Sequence, residues 1–406
     1  MDIRRFDPKG DIRAAERIWY EVGWIENPEQ ASYLKDFLAT GSCIVGCLRG
    51  TPECVVHTVP GTIRYVDEDL KLSAVTAVTT SRIARKQGFA RHMTARQLAE
   101  AAEQGAEVAA LGMFEQGFYD QVGFGTVAYE HQFRFDPATL LVDRPFRVPS
   151  RLHRDEWQDV HAALTNRLKH HGACSLDPPE LLKGEMAWHE NGFGLGYWEG
   201  DTLTHFIRGE ARGEYGPYEI SYMAYRSVDE LLELFALIKS LGDQVSAVVM
   251  LEPAHVQLQT LLKQPFRNRR NTRRTEFEND HRTAAFWQVR ILDLPACIAR
   301  RRWHGEPVEF NLNLIDPVEE FLSNDGWQGI GGEYTVSIGA PSAARAGATP
   351  GLPVLSTTVN TFSRLFFGVA SATDLQASDG MEVPESLLEP LDAAFCLPHM
   401  KTSWEF

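Results

Sequence analysis

The order of apolar and polar residues between 73 and 113 predicts a strand, a helix and a second strand. The stretch SAVTAVTT, 73–80, is short and rich in β-branched residues, which is typical of a buried strand. Residues 88–104 carry apolar side chains at helical spacing, and Gly105 ends the run. EVAALGM, 107–113, is another short apolar segment, so the pattern indicates a βαβ unit.

A second unit of the same order follows in the middle of the chain. Residues 219–253 predict strand, helix and strand once more. Between the two units, three prolines and weak periodicity predict a linker near 137–150. A third section from Phe286 onward has many short β-like runs. We therefore expect a mixed α/β chain of the α+β class, with domains at 1–140, 150–285 and 286–406.

The first predicted helix is preceded by an unusual basic stretch. RIARKQGFARHM, 82–93, gathers four cationic side chains around Gly88. A helix N-terminus presents unpaired N–H groups and a partial positive charge, and glycine lets an anion approach the backbone. The stretch therefore predicts a pyrophosphate cradle, with a solvated basic turn as the alternative. In the second unit the helix opens with Asp229 and Glu230, which would repel a phosphate.

Two separated motifs resemble a known enzyme family. RKQGFA, 85–90, matches the (Q/R)-x-x-G-x-(G/A) signature of GNAT N-acetyltransferases, which bind acetyl-CoA. EQGFYDQVGFG, 115–125, and the closing LDAAF…KTSWEF resemble segments of the Eis (enhanced intracellular survival) acetyltransferases. The resemblance implies a catalytic GNAT unit, a degenerate second GNAT unit without the coenzyme loop, and a sterol-carrier-like α+β domain. It also implies a homo-oligomer, namely a hexamer.

The same resemblance implies roles for particular residues. Tyr119 matches the family's general acid, and the terminal carboxylate of Phe406 matches the general base. The implied acetyl-CoA contacts are Val78, Thr79, Thr80, Lys86, Gln87, Gly88, Phe89, Ala90, Arg91, Phe114 and Glu115. The implied acceptor contacts are Trp24, Glu26 and Glu405. Phe114 departs from the family, which tends to have serine there, so one polar contact to the coenzyme is in doubt.

The energetics differ between the two implied catalytic groups. A phenol of pKa ~10 that protonates a thiolate of pKa ~8.5 works against only about 2 kcal/mol. An α-carboxylate of pKa ~3.5 facing an ammonium of pKa ~10.4 works against roughly 9 kcal/mol. Phe406 would therefore either accept the proton while the C–N bond forms or only position the cation. A frayed chain end is the structural alternative.

Charge and composition restrict the partners. The formal net charge of −15 argues against nucleic acid and favours a cationic acceptor. The family resemblance implies an aminoglycoside-like, polyamine-like or protein-lysine acceptor. The chain shows no C-x-x-C or HExxH motif, so we expect no metal. It also shows no secretory signal or membrane-spanning apolar run, so we expect a cytoplasmic protein. The alternative function is a non-catalytic carrier that binds a hydrophobic ligand in the C-terminal domain.

Overall fold

The computed structural model describes residues 1–189, 191–322 and 326–406. The strands of these residues are β1 Asp2–Arg5, β2 Ser42–Leu48, β3 Thr51–Tyr65, β4 Glu68–Thr80, β5 Val108–Gly112, β6 Gly125–Thr126, β7 Glu130–Phe135, β8 Ser150–Arg151, β9 Cys174–Leu176, β10 Gly192–Glu199, β11 Thr202–Ala211, β12 Tyr218–Ala224, β13 Val248–Leu251, β14 Asp280–Ala284, β15 Trp287–Ile291, β16 Val308–Ile315, β17 Gly332–Ile338, β18 Ala343–Ala346 and β19 Val354–Thr358. The α-helices are α1 Ile12–Val22, α2 Pro28–Ser32, α3 Leu34–Leu38, α4 Phe89–Glu103, α5 Trp157–Thr165, α6 Glu180–Trp188, α7 Val228–Ser240, α8 Pro265–Asn271, α9 Leu294–Arg300, α10 Val359–Phe366, α11 Ala372–Ser378 and α12 Glu385–Ala394.

The first sheet contains the first predicted unit. Its strands lie in the order β1-β2-β3-β4-β5-β15-β6, and β9 pairs with β3. β4 and β5 are parallel and are joined by α4, so the predicted strand, helix and strand are present. β4 begins earlier than the pattern indicated, because β3 and β4 form one long antiparallel hairpin from Tyr65↔Glu68 onward. Backbone hydrogen bonds to β3 therefore extend β4 beyond its apolar segment, and local apolar patterning does not reveal this extension.

The second sheet contains the second predicted unit, and a third sheet follows it. The second sheet has the order β14-β7-β13-β12-β11-β10-β8, with β12 and β13 parallel around α7. The third has the order β18-β17-β16-β19 and is contacted by α9, α10 and α12. The architecture is therefore a mixed α/β chain that contains two βαβ units in tandem.

Strands cross the boundaries that the sequence suggested. β7 precedes residue 140, yet it pairs with β13 and β14 in the second sheet. β15 follows residue 286, yet it pairs with β5 and β6 in the first sheet. β7 directs Phe133 and Phe135 into the core of the second sheet, whereas β15 buries Trp287 in the first. A local pattern shows that a strand is half-buried, but not which sheet it joins, because strand pairing is a long-range contact.

The last residues of the chain lie between the first two sheets. The backbone N–H of Cys174 donates to the carbonyl of Thr402 at 2.8 Å, and the N–H of Lys401 donates to the carbonyl of His171 at 3.1 Å. Trp404 is 2% exposed and belongs to the same core as the first sheet. The segment 401–406 is thus held from both sides. Of the described helices, none is both long and apolar enough to cross a membrane.

Candidate active site

β4 and β5 separate at one end and open a cleft. Their pairing runs from Leu72↔Val108 to Val75↔Leu111 and then stops, while β4 continues to Thr80. A bulge at Thr76 shifts the register between β3 and β4 at the same level. Beyond it, the edge of β4 that faces away from β3 pairs with no described strand. Backbone N–H and C=O groups of residues 77–80 therefore remain available to a ligand.

α4 begins beside this cleft without a side-chain cap. Gly88 occupies the N-cap position with a φ of +82°, and no side chain of the described residues accepts from the first helical N–H groups. A Cβ at Gly88 would lie 3.2 Å from Met1 Cε and 3.4 Å from His92 Nδ1, in a backbone conformation that favours glycine. The helix start is consequently open to an anion.

The four cations of the basic stretch have different surroundings. The backbone N–H of Arg82 donates to Glu21 Oε2 at 2.9 Å, and its guanidinium donates to the carbonyl of Glu21. Arg91 donates to Gln121 and lies over the ring of Phe321. Arg85 and Lys86 are exposed, line the cleft and form no ion pair with the described residues. They are therefore the cations best placed to meet a phosphate.

Tyr119 begins a short 3-10 turn, Tyr119–Val122, on the other side of the cleft. Its ring makes edge contacts with Phe114 at 5.9 Å and with Phe118 at 4.9 Å between centroids. Tyr119 is 4% exposed, and no described residue forms a hydrogen bond with its hydroxyl. Burial raises the pKa of Tyr119 above its ordinary value. The phenol therefore stays protonated at neutral pH.

One cavity of about 1100 Å³ joins these features. The predicted site residues that line it are Trp24, Val78, Thr79, Thr80, Lys86, Gly88, Phe89, Ala90, Arg91, Phe114, Tyr119, Glu405 and Phe406. Gln87, Glu115 and Glu26 lie outside the lining, and all three are exposed. Glu115 accepts from the adjacent backbone N–H of Gln116 at 2.9 Å, so its carboxylate closes a local turn. Glu26 lies at the turn that leads into α2, where its own N–H donates to Gln30.

Comparison with known sequences and structures adds to this geometry. The acetyltransferase (GNAT) domain family matches residues 2–127. These residues are a GNAT acetyltransferase domain. The protein is therefore an acetyltransferase, and GNAT domains take the acetyl group from acetyl-CoA. No curated protein matches the chain at a significant level.

The GNAT domain and the rest of the chain share their fold with several solved structures. A GCN5-related N-acetyltransferase from Anabaena variabilis is 14% identical, with a TM-score of 0.79 and 100% of both chains covered. Eis1 from Mycobacterium abscessus is 15% identical, with a TM-score of 0.76 and 100% of both chains covered. A GCN5-related N-acetyltransferase from Kribbella flavida is 16% identical, with a TM-score of 0.73, over 100% of this chain and 98% of that chain. The three-sheet architecture is thus a shared fold.

The residues present in the GNAT domain fit acetyl-CoA. The open start of α4 offers backbone N–H groups to a pyrophosphate, and a glycine stands where a side chain would fill the space. The unpaired edge of β4 can form strand-like hydrogen bonds with the amides of the pantetheine arm. Thr79 Oγ1 is buried without a partner beside this edge, as expected for a group that a ligand satisfies.

The opposite wall of the cavity comes largely from residues that sequence reasoning missed. Trp19 and Trp188 pack with ring centroids 5.5 Å apart, and Trp24 meets Trp19 edge-on at 5.0 Å. Glu185, in α6, and Tyr222, in β12, line the same wall. The only sequence signal for them was tryptophan-rich composition around 19–24 and 188, because nothing local links α6 to a cleft formed by β4 and α4.

Two carboxyl groups on this wall, Glu185 and Glu405, have raised pKa values. Burial raises the pKa of Glu185 to about 8, although the hydrogen bond from Tyr222 opposes the rise and the Glu405 charge adds to it. Burial also raises the pKa of the Glu405 carboxyl. Burial lowers the pKa of His189, which lines the same cavity.

The described residues contain no group of three or more His, Cys, Asp or Glu side chains arranged for a metal ion.

Proposed function

We propose that the protein transfers an acetyl group from acetyl-CoA to an amine of a cationic acceptor and that it is an Eis-type N-acetyltransferase. The observation that carries the proposal is the single cavity. One side of it holds the open helix start and Tyr119, and the other holds indole rings and carboxyl groups. The sequence resemblance at 115–125 and the likeness in fold to Eis1 support the Eis-type assignment.

The donor side is built from the GNAT domain. Acetyl-CoA supplies the acetyl group as a thioester, and coenzyme A is the leaving group. The N–H groups at the start of α4, together with Arg85 and Lys86, would hold the pyrophosphate. The free edge of β4 at residues 77–80 would orient the arm toward Tyr119.

Tyr119 suits the assignment as the acid that meets the departing sulfur. Its hydroxyl carries a proton at neutral pH and has no competing hydrogen bond within the described residues. The raised pKa makes complete proton transfer to a thiolate harder than the roughly 2 kcal/mol that ordinary values imply. A strong hydrogen bond to the sulfur, followed by transfer as the acceptor nitrogen becomes acidic, avoids most of that cost.

The acceptor side suits an organic cation. Indole faces attract ammonium groups by about 0.5–2 kcal/mol each, more when water is excluded. Glu405 and Glu185 add carboxyl groups to the same wall, and a bound cation favours their ionised forms. A formal net charge of −15 further raises the local concentration of cations around the protein. Aminoglycosides, polyamines and lysine side chains all carry the required charged amine.

Several finer expectations stay predictions. They are the hexamer, the sterol-carrier-like character of the third section and the role of the Phe406 carboxylate, either as a base or as a group that positions the cation. Phe406 lines the cavity, and its ring packs on Trp287 with 4.6 Å between ring centroids. A peptide appended after Phe406 would convert that carboxylate to a neutral amide and is expected to reduce acetyl transfer, whereas an N-terminal peptide is not.

The direct test measures free thiol released from acetyl-CoA in the presence of spermidine, kanamycin or Nα-acetyl-lysine. Mass spectrometry identifies the acetylated amine. We expect release that depends on the acceptor and saturates, with a neutral polyol as the inactive control. Thiol release that is independent of every amine would contradict the proposal. Residues 288–400 line neither of these two cavities, so the cavities give no support to the hydrophobic carrier.

A further inference from the structure

We propose that Glu185, a residue of α6, accepts the proton of the acceptor amine, that Tyr222 holds its carboxyl in position, and that the Phe406 carboxylate only positions the cation. The proposal rests on the proposed function, since it needs an amine acceptor in the cavity. It gives the middle section, 150–285, a catalytic contribution to the site of the first unit.

The fold aims Glu185 into the cavity. α6 packs against α3 and α5, and its Leu181, Leu182 and Met186 are buried. Glu185 lies on the remaining face of the helix and lines the cavity that contains Tyr119. The carboxyl is therefore in the same enclosed space as the predicted acid.

A single strong hydrogen bond orients the carboxyl. The Tyr222 hydroxyl donates to Glu185 Oε2 at 2.6 Å. No described residue donates to Oε1 of Glu185, which leaves that oxygen available to an ammonium. Tyr222 follows the bulge residue Ser221 in β12, so the bulge sets the direction of the phenol.

The charged groups around Glu185 come from several elements. Glu405, on the C-terminal segment, lines the same cavity, as do Phe406 and His189. Arg208, on β11, is buried and donates to the carbonyl of Met186, next to Glu185 in α6. None of the described cations forms an ion pair with Glu185.

Polar and charged side chains at the contacts of α6 with α3 and α5 interact with groups other than Glu185. Toward α3, Lys183 is paired with Asp36 at 2.7 Å. Toward α5, His161 Nε2 lies 2.7 Å from the carbonyl oxygen of Leu176. No described cation is therefore paired with Glu185, although the Arg208 charge acts on its partner Tyr222.

The acid strength of Glu185 suits proton transfer from an amine. An ordinary carboxylate of pKa ~4.3 is a weak base toward an ammonium of pKa ~10.4. The pKa of Glu185 is raised to about 8, mainly by burial, which brings the two groups much closer. A bound cation favours the ionised form of the carboxyl and would draw the proton off to solvent before catalysis.

The proton and electron balance closes with this assignment. One N–H bond of the ammonium breaks, its electron pair stays on nitrogen, and its proton forms an O–H bond on Glu185. The lone pair on nitrogen then forms the C–N bond. The C–S bond breaks, and sulfur leaves with the electron pair of the C–S bond. Tyr119 gives its proton to sulfur and regains one from the second N–H of the acceptor. Glu185 finally returns its proton to water.

The first experiment is the pH dependence of kcat/KM for spermidine with the native protein and Glu185→Gln. We expect the native rate to rise with pH to a plateau above about 8, because the protonated carboxyl cannot accept a proton. Glu185→Gln should lower kcat by about 100-fold and lack this rise. Glu219→Gln, a second-unit carboxylate ion-paired with Arg212, is the matched control and should keep the native profile.

A second variant separates a positioning function from a general structural one. Tyr222→Phe removes the donor that stabilises the carboxylate, so the rising limb should move to higher pH while the plateau changes little. Tyr225→Phe also removes a buried hydroxyl, one that donates to the carbonyl of Ala254, and should leave the limb in place.

A binding measurement provides a readout without turnover. Calorimetry of spermidine binding at pH 7, in buffers of different ionisation enthalpy, counts the protons released. We expect native protein to release a proton because Glu185 is mostly protonated at that pH, and we expect no corresponding release from Glu185→Gln. Acetyl-CoA affinity serves as the check that each variant is folded.

The outcomes distinguish this proposal from the proposed function. Amine-dependent acetyl transfer with unchanged kcat and pH profile in Glu185→Gln would overturn the assignment of Glu185 alone. A variant with a raised KM and native kcat would also overturn it, because Glu185 would then only hold the cation. A native protein that binds acetyl-CoA but acetylates none of the amines would overturn both.

Discussion

β4–α4–β5 and β12–α7–β13 follow the same plan up to the residue at which each helix begins. In the first unit, parallel pairing ends at Val75 and the bulge residue Thr76 follows. In the second, parallel pairing ends at Ile220 and the bulge residue Ser221 follows. Both units therefore open a cleft between two parallel strands.

The helix starts differ in how their N–H groups are satisfied. α4 starts at Gly88 with no side-chain cap and no acidic residue in its first turn. α7 starts at Ser227, whose hydroxyl accepts from the N–H of Glu230 at 3.2 Å, and it carries Asp229 and Glu230 in its first turn. Glu230 also binds the preceding Arg226. Only the first helix start is left for an anion from outside the chain.

Under the proposed function, this difference assigns coenzyme binding to the first unit alone. A capped, acidic helix start gives up phosphate binding and gains local stability. Tyr222 of β12, together with Glu185 and Trp188 of α6, lines the wall opposite the start of α4. The following predictions test this division, beginning with the largest effect.

Tyr119→Phe should lower kcat by about 10²–10⁴-fold, the usual contribution of a positioned acid. Acetyl-CoA affinity should change little, because only a hydroxyl is lost. Steady-state thiol release and calorimetry measure the two quantities. Tyr129→Phe, at a tyrosine that is 67% exposed, is the control. A Tyr119→Phe protein with near-native kcat would remove the acid from the first unit.

Gly88→Glu should weaken acetyl-CoA binding by about 100-fold, since a loss of about 3 kcal/mol in charge-assisted hydrogen bonds corresponds to that ratio. A carboxylate would occupy the place of the anion and repel it. Gly50→Glu is matched for backbone conformation, because Gly50 also has a φ of +82° and a Cβ there meets no atom within 4 Å. Equal affinity in both folded variants, measured by calorimetry, would argue against the cradle.

Lys86→Ala should weaken acetyl-CoA binding about fivefold, since an exposed ion pair contributes about 1 kcal/mol. The loss should shrink at high salt, where exposed charges are screened. Lys263→Ala removes an exposed charge from the second unit and should not change affinity. Titrations at low and high salt provide the comparison, and a salt-independent loss would indicate a packing effect.

Ser227→Ala should destabilise the second unit by about 1 kcal/mol through loss of the N-cap. Acetyl-CoA affinity should stay the same because α7 does not face the coenzyme. Urea unfolding and calorimetry test the two parts, and Ser227→Asp should restore stability as an alternative cap. Weaker coenzyme binding by Ser227→Ala would mean that the second helix start also contributes to the cradle.

Sequence reasoning reached the first unit's site more fully than the second unit's contribution. The residues near Gly88 and Tyr119 lie in short local motifs, and a helix start that lacks a cap is visible in the sequence. The family resemblance implied Glu26 as an acceptor contact, whereas Glu26 lies at the turn into α2 and does not line the cavity. Glu185 had no local signal, since its environment is created by packing between distant elements.

The sequence by itself determined the two βαβ units, the glycine at the start of α4 and the acidic start of α7, because periodicity, capping and backbone freedom are local properties. Only the tertiary structure decided that β7 joins the second sheet and β15 the first, because strand pairing is a contact between residues far apart in the chain. It also decided that Glu185 meets Tyr222 in the cavity of Tyr119. Burial there changes the pKa of the carboxyl, and burial is a property of the folded chain alone.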